Sequence, residues 1–471
     1  MEQCPSRAQT HSKGLAAERR GMSERMPYAE TDNSTLAKLA LLSKRARQGS
    51  KLRFTSLAHL LNAEFLEECY YSLGRDRASG IDGVSWKEYG ERLGENLNGL
   101  VARLKAKRYK PLPARRVYIP KDEHSERPLG LPALEDKIVQ KGIAWILEAI
   151  YEQDFLDCSY GFRPKRNCHQ ALDVVDKTIM TRPIHYVIEA DIKGFFDNVS
   201  HDWMLRCLEV RIQDPSLLLL IRRFLKAGYV EAGQLVPTEQ GTPQGGNLSP
   251  IIANVFLHYV LDLWFEKKIK PQMRGVCYLV RYADDFLCLV QYQREAQYIE
   301  QALRERFEKF DLQLHPEKTR VIDLRRGQMQ KVKEDKHRPH SFDFLGFTHY
   351  GSKSRKGKWV LGRRTSAKKF RKACKALSAW LRVTRNAAKL SQWWPILQAK
   401  LVGHYQYYGI SGNARMIERY NQVARRLIFK WLNRRSQKTS FTWETFQIYL
   451  EHYPLPKPRI THRLYTLSPD S

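Results

Sequence analysis

Three carboxylates are the residues of this chain best suited to chemistry, because each follows a stretch of apolar side chains. Asp191 ends the run 185–191, and Asp284 and Asp285 lie between the runs 277–282 and 286–290. Converging carboxylates repel and raise one another's pKa unless a cation holds them. Mg²⁺ binds through one or two carboxylates together with substrate phosphates. The three acids therefore predict a divalent-metal site that acts on phosphates.

The chemistry indicated by such a site is phosphoryl transfer. Two ions about 4 Å apart would activate an attacking hydroxyl and stabilise the leaving oxygen of an in-line displacement. Asp-Asp is also ordinary turn chemistry, because an Asp side chain bonds to nearby backbone. The third acid in a matching setting favours the metal site. Side chains alternate along a strand, so we expect Asp284 and Asp285 to point to different sides, with one facing the reacting centre.

Buried strands must position these acids. The runs 277–282 and 286–290 predict two strands that meet at a tight turn, Ala283-Asp284-Asp285. The run 185–191 predicts a third strand, followed by a turn at Gly194. We expect the three strands to be neighbours in one sheet.

Loops and a hairpin lie between these strands and upstream of them. Residues 241–250 carry three glycines and two prolines, which predicts a rigid loop that approaches a ligand closely, or else a plain connector. The glycines in 78–84 fit either a turn or a close backbone approach. Residues 115–132 predict a hairpin with Lys121 and Arg127 near its loop, where cations either reach a phosphate or are simply solvated.

The remaining patterns are mostly helical. Apolar residues recur at helical spacing in 36–42, 54–66, 135–155, 251–265 and 294–310, and a polar turn at 315–319 precedes a strand at 320–324.

Composition narrows the class of partner. The chain has 471 residues and a formal charge of +30, a surplus that indicates a polyanionic partner. It contains no uninterrupted apolar stretch of 18 residues and no signal-peptide pattern, so we expect no membrane association. The eight cysteines include no Cys-x-x-Cys pair, so neither a disulfide-linked partner nor a cysteine zinc site is predicted.

The strongest nucleic-acid signal lies near the C-terminus. Residues 352–435 contain 22 Lys or Arg and one acid, Glu418, whereas a solvated helix face normally mixes signs. Nine aromatics are interleaved with these cations, and we assign about two-thirds of them to the core of a helical domain and the rest to bases or sugars. They are Trp359, Trp380, Trp393, Trp394, Tyr405, Tyr407, Tyr408, Tyr420 and Trp431.

Several motifs in a fixed order resemble those of reverse transcriptases. They are Asp191-Ile-Lys-Gly-Phe-Phe-Asp, Gly241-Thr-Pro-Gln-Gly-Gly-Asn-Leu-Ser-Pro, Tyr282-Ala-Asp-Asp, His315-Pro-Glu-Lys and Phe344-Leu-Gly-Phe. The upstream Ser79-Gly-Ile-Asp-Gly-Val, Arg127-Pro-Leu-Gly-Leu-Pro and Ser159-Tyr-Gly-Phe-Arg-Pro, and the downstream Gly403-His-Tyr-Gln-Tyr-Tyr-Gly, extend the match over roughly residues 55–465. The chain resembles most closely the group II intron-encoded reverse transcriptase/maturases.

This resemblance implies an α+β, right-hand polymerase fold. It divides the chain into a disordered basic N-terminal tail (1–50) and fingers and palm with an antiparallel palm sheet (51–350). An α-helical thumb or maturase domain (351–435) and a small DNA-binding segment (436–471) follow. Some family members continue into a metal-dependent endonuclease. This sequence stops without one, so we expect no second-strand cleavage by the protein itself.

The resemblance also implies site residues. Asp191, Asp284 and Asp285 would be catalytic and would hold two Mg²⁺ ions, or Mn²⁺ as a substitute, helped by the backbone carbonyl of Ile192. Phe196 would lie under the sugar of the incoming nucleotide and exclude a 2′-hydroxyl, or else pack in the core. The other nucleotide-binding residues would be Lys121 and Arg127 on the triphosphate, Gln244 in the pocket and Lys318 near the departing pyrophosphate.

The implied function is RNA-directed DNA synthesis from dNTPs at a primer 3′ end, combined with binding of group II intron RNA to assist splicing and mobility. Its partners would be intron RNA and other RNA templates, a DNA target or primer, and, as one option, a second copy of the chain. The expected location is the bacterial cytoplasm, in a ribonucleoprotein or on the nucleoid. Two alternatives stay open: a splicing factor with an unused polymerase site, and an intron-independent reverse transcriptase in defence or repair.

Overall fold

The computed structural model describes residues 35–120, 126–242, 245–325, 340–354, 356–435 and 440–464. Lys121 and Gln244 lie outside these described residues, as does most of the predicted N-terminal tail. Within the described part, no helix is both long enough and apolar enough to cross a membrane.

Helices dominate the secondary structure. The described α-helices are α1 Thr35–Gln48, α2 Ala63–Ser72, α3 Trp86–Glu91, α4 Leu93–Lys105, α5 Leu134–Tyr151, α6 Cys168–Thr181, α7 Phe195–Asn198, α8 His201–Glu209, α9 Pro215–Leu225, α10 Ser249–Leu257, α11 Gln293–Glu308, α12 Ala367–Ala387, α13 Leu390–Tyr408, α14 Ala414–Leu432 and α15 Trp443–His452.

The described strands form three sheets. They are β1 Ala114–Pro120, β2 Glu126–Leu131, β3 Tyr186–Asp191, β4 Tyr229–Glu231, β5 Gln234–Val236, β6 Cys277–Tyr282, β7 Asp285–Val290, β8 Arg320–Asp323, β9 Ser341–Phe344, β10 Phe347–Lys353 and β11 Trp359–Thr365. The sheet orders are β2-β1-β4-β5, β6-β7-β3-β8 and β11-β10-β9.

The chain groups into two compact units, each discontinuous in sequence. The first comprises Met1–Ile119, Arg127–Asn167 and Gly194–Tyr259, and the second comprises Pro120–Glu126, Cys168–Lys193 and Val260–Ser471. The division of the chain into fingers, palm and thumb stays a prediction.

The first unit is mainly helical and carries the sheet β2-β1-β4-β5. Its core helix is α5, whose residues Ile138, Val139, Ile143 and Ile146 are fully buried because apolar side chains recur at helical spacing. The predicted hairpin at 115–132 is confirmed, since β1 and β2 are neighbours in this sheet.

The second unit is built on the antiparallel sheet β6-β7-β3-β8, which confirms that the three strands bearing the acids are neighbours. The central strand β7 is paired on both edges, and residues 286–290 are all buried. A strand covered on both faces reads as a continuous apolar run, which is the pattern seen in the sequence. Helix α11 packs against β3, β7 and β8 through Ala296, Ile299, Leu303 and Phe307.

A helical core forms the C-terminal part of the second unit. Helices α12 to α15 surround a buried cluster that includes Trp393, Leu397, Leu401, Ile417 and Ile428. Seven of the nine interleaved aromatics belong to this cluster or pack against it: Trp380, Trp393, Trp394, Tyr405, Tyr408, Tyr420 and Trp431. Packing therefore accounts for slightly more of them than the two-thirds predicted.

Two local details differ from the sequence-based predictions. The apolar run 251–265 does not form one regular helix, because α10 is followed by two π-helical turns, His258–Asp262 and Phe265–Ile269. Asp285 is not a turn residue but the first residue of β7. Apolar periodicity does not distinguish an α-turn from a slightly wider π-turn, so the sequence carries no sign of the first difference.

Candidate active site

The tip of the β6–β7 hairpin carries two of the predicted acids. Tyr282 pairs with Asp285 across the hairpin, so the turn consists of Ala283 and Asp284 alone. Ala283 has φ +58°, a conformation that is uncommon for a residue with a Cβ atom and that costs conformational energy. Backbone strain at this point indicates that the surrounding structure determines the turn.

Asp191 meets this hairpin across the neighbouring strand. The register of β3 and β7 pairs Asp191 directly with Asp285. Directly opposite residues of an antiparallel pair point to the same face, with Cβ atoms about 4.5–5.5 Å apart. The fold therefore brings Asp191 and Asp285 together, with Asp284 adjacent in the turn.

Burial and mutual repulsion set the electrostatics of these acids. The pKa of Asp285 is raised to about 7, first by burial and then by the charges of Asp284, Asp191 and Glu189. The backbone N–H of Leu345 acts in the opposite direction, because it hydrogen-bonds to the Asp285 carboxylate. The site thus concentrates negative charge that a cation would stabilise.

Lys318 supplies one cation to this site. Its Nζ lies 2.5 Å from Oδ2 of Asp191. The turn that carries it is fixed to the end of β3, since the N–H of His315 donates to the carbonyl of Asp191 at 2.7 Å. The motif His315-Pro-Glu-Lys therefore delivers Lys318 to the carboxylates.

Ile192 directly follows Asp191 in the chain. Ile192 forms an antiparallel bridge with Leu314. The two hydrogen bonds of this bridge run from Lys193 to Gln313 and from His315 to Asp191, so they do not use the Ile192 carbonyl.

The donor set suits a hard divalent cation, because it consists of carboxylate oxygens and a backbone carbonyl. Among the residues that the structure describes, no group of three or more His, Cys, Asp or Glu side chains is spaced to hold a metal ion. The fit therefore rests on the chemistry of the donors, on the Asp191–Asp285 register, and on the burial and neighbouring acidic charges that raise the pKa of Asp285.

Phe196 lies in the first unit, in the wall of a cavity of about 310 Å³. Arg116 also lines the cavity and lies over the ring of Tyr229, 3.8 Å from its centroid. Arg127 is exposed on β2. It directly precedes Pro128 and stands three positions before Gly130, and both of these residues line the cavity.

The glycine-rich loop packs against the turn that carries Phe196. The N–H of Thr242 donates to the carbonyl of Phe196 at 2.7 Å, and a Cβ atom on Gly241 would lie 2.6 Å from the carbonyl oxygen of Asp197. Gly241 also has φ +81°. The glycine is thus required by a close approach to the chain's own backbone, and the loop shapes the cavity wall.

The upstream loop shows a similar contact. A Cβ atom on Gly80 would lie 2.5 Å from the backbone of Ala133, and Nζ of Lys137 donates to the carbonyl of Ala78 at 2.7 Å. Of the two readings left open for this loop, close approach applies at Gly80, whereas Gly83, with φ +72°, serves a turn.

Helix α12 carries seven of the 22 Lys and Arg residues of 352–435. Helix α12 starts at the cap residue Ser366, whose side chain accepts from the N–H of Lys369. Its apolar positions Leu377 and Leu381 are buried, and its exposed cations are Lys368, Lys369, Arg371, Lys372, Lys375 and Arg382. These six exposed cations are the cationic surface of α12.

Two supporting residues escaped the sequence analysis. Arg281 interrupts the apolar strand β6, and a lone charge in such a strand is a signal that it has a buried partner. Leu345 supports Asp285 through a backbone hydrogen bond, which does not depend on the type of its side chain. The only sign of it in the sequence is the adjacent Gly346, which marks a turn.

Comparisons with known proteins agree with these observations. Residues 119–349 match the family described as reverse transcriptase (RNA-dependent DNA polymerase). Group II intron-encoded protein LtrA of Lactococcus lactis subsp. cremoris is 37% identical over 238 residues, which cover 50% of this chain and 39% of that protein. Protein YkfC of Escherichia coli (strain K12) is 35% identical over 240 residues, or 45% of this chain and 63% of that protein.

More distant similarities were also found. Nuclear intron maturase 1, mitochondrial, of Arabidopsis thaliana is 29% identical over 116 residues, which cover 24% of this chain and 16% of that protein. A solved structure of telomerase from Candida albicans, with a fragment of telomeric RNA, matches 78% of this chain and 66% of that chain at 13% identity and a TM-score of 0.41.

The chain spans less than two-thirds of the length of these curated relatives. The resemblance predicted from the motifs is nevertheless confirmed by a family match that includes β3, β6, β7 and β8. Residues 119–349 therefore match the reverse transcriptase family, and the chain is similar to group II intron-encoded proteins and intron maturases.

Proposed function

We propose that this protein is the RNA-directed DNA polymerase of a group II intron, which extends a primer 3′ end on an RNA template and binds intron RNA to assist splicing and mobility. The observation that carries the proposal is the direct pairing of Asp191 with Asp285, with Asp284 in the adjoining turn and Lys318 bound to Asp191. An RNA-binding surface does not need three acids, since acids repel phosphates.

The carboxylates act by holding cations at the place of reaction. Asp191, Asp284 and Asp285, with the carbonyl of Ile192, would hold two Mg²⁺ ions, which when bound supply the charge that activates the primer hydroxyl and stabilises the leaving oxygen. Lys318 brings a further positive charge to the phosphate side of the site. These groups orient the reactants and compensate the charge that develops during transfer.

The remaining assignments concern the nucleotide. Phe196, in the wall of a cavity, would contact the sugar and exclude a 2′-hydroxyl. Arg127, together with Lys121, would hold the triphosphate, and Gln244 would shape the nucleotide pocket. The support for Phe196 is its place beside the glycine-rich loop. The support for Arg127 and Gln244 is the motif in which each stands, and Lys121 rests on the family resemblance alone.

Primer extension on an RNA template tests the proposal, because Asp284→Asn keeps the size of the side chain but removes a metal-binding charge. We expect the wild-type protein to add dNTPs only in the presence of Mg²⁺, and the variant to lose at least 100-fold of that activity, an estimate for the loss of one metal ligand (roughly 3 kcal/mol). RNA affinity should be unchanged or slightly higher, since one repulsive charge is gone.

Asp157→Asn is the matched control, because this substitution makes the same chemical change at a side chain that is 97% exposed. It should retain full activity. An Asp284→Asn protein that still polymerises would contradict the assignment of the metal site.

The second candidate is a splicing factor that binds RNA but does not polymerise. The observation in its favour is the cationic surface of α12. Tight, salt-sensitive RNA binding by a wild-type protein that adds no dNTPs under any metal condition would support this reading.

A further inference from the structure

Arg281 is a buried charge directly behind the proposed metal site. It lies in β6, next to the strand residue Tyr282, and its side chain is fully buried. Its partner Asp262 is equally buried and is the last residue of the π-helical turn His258–Asp262. Turns of this kind are rare and often lie at functional sites.

The pair is bidentate. Nε of Arg281 donates to Oδ1 of Asp262 at 2.7 Å, and Nη2 donates to Oδ2 at 2.5 Å. Two parallel bonds fix the plane of the guanidinium as well as its position. The remaining nitrogen, Nη1, is therefore held in a defined direction.

That nitrogen reaches the catalytic turn. Nη1 of Arg281 donates to the carbonyl of Ala283 at 2.9 Å. This carbonyl belongs to the peptide that joins Ala283 to Asp284, and Ala283 is the strained residue with φ +58°. The hydrogen bond thus fixes the peptide plane from which Asp284 projects.

Stability alone does not account for this arrangement. Apolar residues of similar volume often replace a buried ion pair without loss of stability, because desolvation offsets the attraction between the charges. A guanidinium held on both oxygens of one carboxylate does, however, provide a rigid donor that apolar side chains cannot replace.

We propose that the Arg281–Asp262 pair is a positioning device that holds the Ala283–Asp284 turn in the orientation in which Asp284 and Asp285 bind a divalent cation. This inference rests on the proposed metal site and adds two residues that support it without touching substrate or metal.

The test separates positioning from folding by using the double variant Arg281→Met/Asp262→Leu. The apolar pair fills the space and leaves no unpaired buried charge, so the thermal midpoint should stay close to that of the wild type. The matched control is Arg363→Met/Asp176→Leu, which replaces a second buried Arg–Asp pair of the same unit, between β11 and α6.

Two readouts are needed. The first is the affinity of the purified protein for Mn²⁺ alone, measured by electron paramagnetic resonance, and the second is the Mg²⁺ concentration that gives half-maximal primer extension. In the Arg281/Asp262 double variant we expect the Mn²⁺ affinity to fall about tenfold and the half-maximal Mg²⁺ concentration to rise about tenfold. This ratio corresponds to the loss of one hydrogen bond from a charged donor. The Arg363/Asp176 control should leave both unchanged at a similar thermal midpoint.

A single variant covers the case in which the double variant does not fold. Arg281→Lys keeps the charge but loses the planar, bidentate guanidinium. It should therefore weaken Mn²⁺ binding to an intermediate extent. If either folded variant binds Mn²⁺ as the wild type does, the positioning role is wrong.

The inference and the proposed function fail in different ways. If the wild type and Asp284→Asn bind Mn²⁺ equally, the metal site itself is wrong and the positioning role is overturned with it. If Asp284→Asn weakens binding but the Arg281/Asp262 double variant does not, only the positioning role is overturned.

Discussion

At the scale of single residues, the site is defined by a few side chains whose spacing in the fold follows from strand register. Asp191 and Asp285 are opposite one another because β3 and β7 are antiparallel neighbours. A shift of one residue in that register would move one of these acids to the other face of the sheet. The buried apolar residues 286–290 prevent such a shift, since they would be displaced as well.

Phe196 offers a prediction at this scale. Phe196→Ala should increase the use of rNTPs relative to dNTPs by about tenfold or more, because the ring is proposed to exclude the 2′-hydroxyl through a steric barrier of at least about 1.4 kcal/mol. Competitive primer extension with dNTPs and rNTPs measures the ratio.

Phe196→Leu serves as the control for this change, since it keeps much of the side-chain volume and should alter the ratio less. If both variants discriminate as strongly as the wild type, Phe196 is only a packing residue of the cavity wall.

The site residues that could be predicted from the sequence are those whose role is indicated by the residue types immediately around them in the chain. The three acids stand at the ends of apolar runs, so their place in one sheet follows from periodicity. The partner of Arg281 could not be predicted in this way, because Asp262 lies 19 residues earlier and is brought close only by tertiary packing. The backbone contact from Leu345 to Asp285 is invisible for the same reason.

At the scale of elements, helix α13 connects the C-terminal helical core to the turn beside Asp285. The hydroxyl of Tyr407 donates to the carbonyl of Leu345 at 2.9 Å, and the N–H of Leu345 bonds to Asp285. The same helix presents His404, whose ring stacks on Tyr420 of α14 with 3.6 Å between centroids. The motif 403–409 thus acts mainly as packing between elements.

His404 gives this helix pair a predictable response to acid. Burial lowers the pKa of His404 to about 4, well below its ordinary value of 6.5. Below about pH 6.5 the unfolded chain gains a proton that the folded chain excludes, so stability is lost as the pH falls toward 4. His404→Phe should therefore reduce the drop in thermal midpoint between about pH 7.5 and pH 5.

The control for this prediction is His59→Gln, a change at an exposed histidine of the first unit. It should leave the acid sensitivity as it is in the wild type. An unchanged pH response in His404→Phe would mean that the stacked ring is protonated in the folded protein.

The boundaries of elements were predictable where a polar turn or a glycine marks them. Strand β3 ends at Asp191, and the left-handed Gly194, with φ +56°, follows as expected. The two π-helical turns after α10 were not predictable from the sequence. They differ from an α-helix in having i→i+5 instead of i→i+4 backbone hydrogen bonds, and this difference leaves the apolar pattern intact.

At the scale of the whole molecule, charge dominates. A formal charge of +30 and the exposed cations of α12 predict binding to nucleic acid that weakens steeply with salt. For single strands, the logarithm of affinity falls by about 0.7 per phosphate neutralised for each unit of log salt, and for duplex DNA by about 0.9.

Removing two cations from α12 tests this reading. Lys372→Ala/Lys375→Ala should lower RNA affinity and make the salt dependence shallower by about 1.4, if each lysine neutralises one phosphate of a single strand. Filter binding or fluorescence anisotropy at several salt concentrations gives the slope.

Lys267→Ala/Lys268→Ala is the matched control, because it removes two exposed lysines from a π-helical turn outside the cationic surface. Equal effects of the two double variants would show that net charge, and not the surface of α12, governs binding.

The pairing of β3 with β7 has a consequence for how the protein is made. Asp191 and Asp285 are 94 residues apart in the chain, and contacts between such distant segments form late because loop closure must come first. During synthesis, Asp191 leaves the ribosome long before its partner strand exists. The carboxylates therefore cannot assemble until the chain has passed β7, so the proposed metal site cannot form in a nascent chain before most of it has been translated.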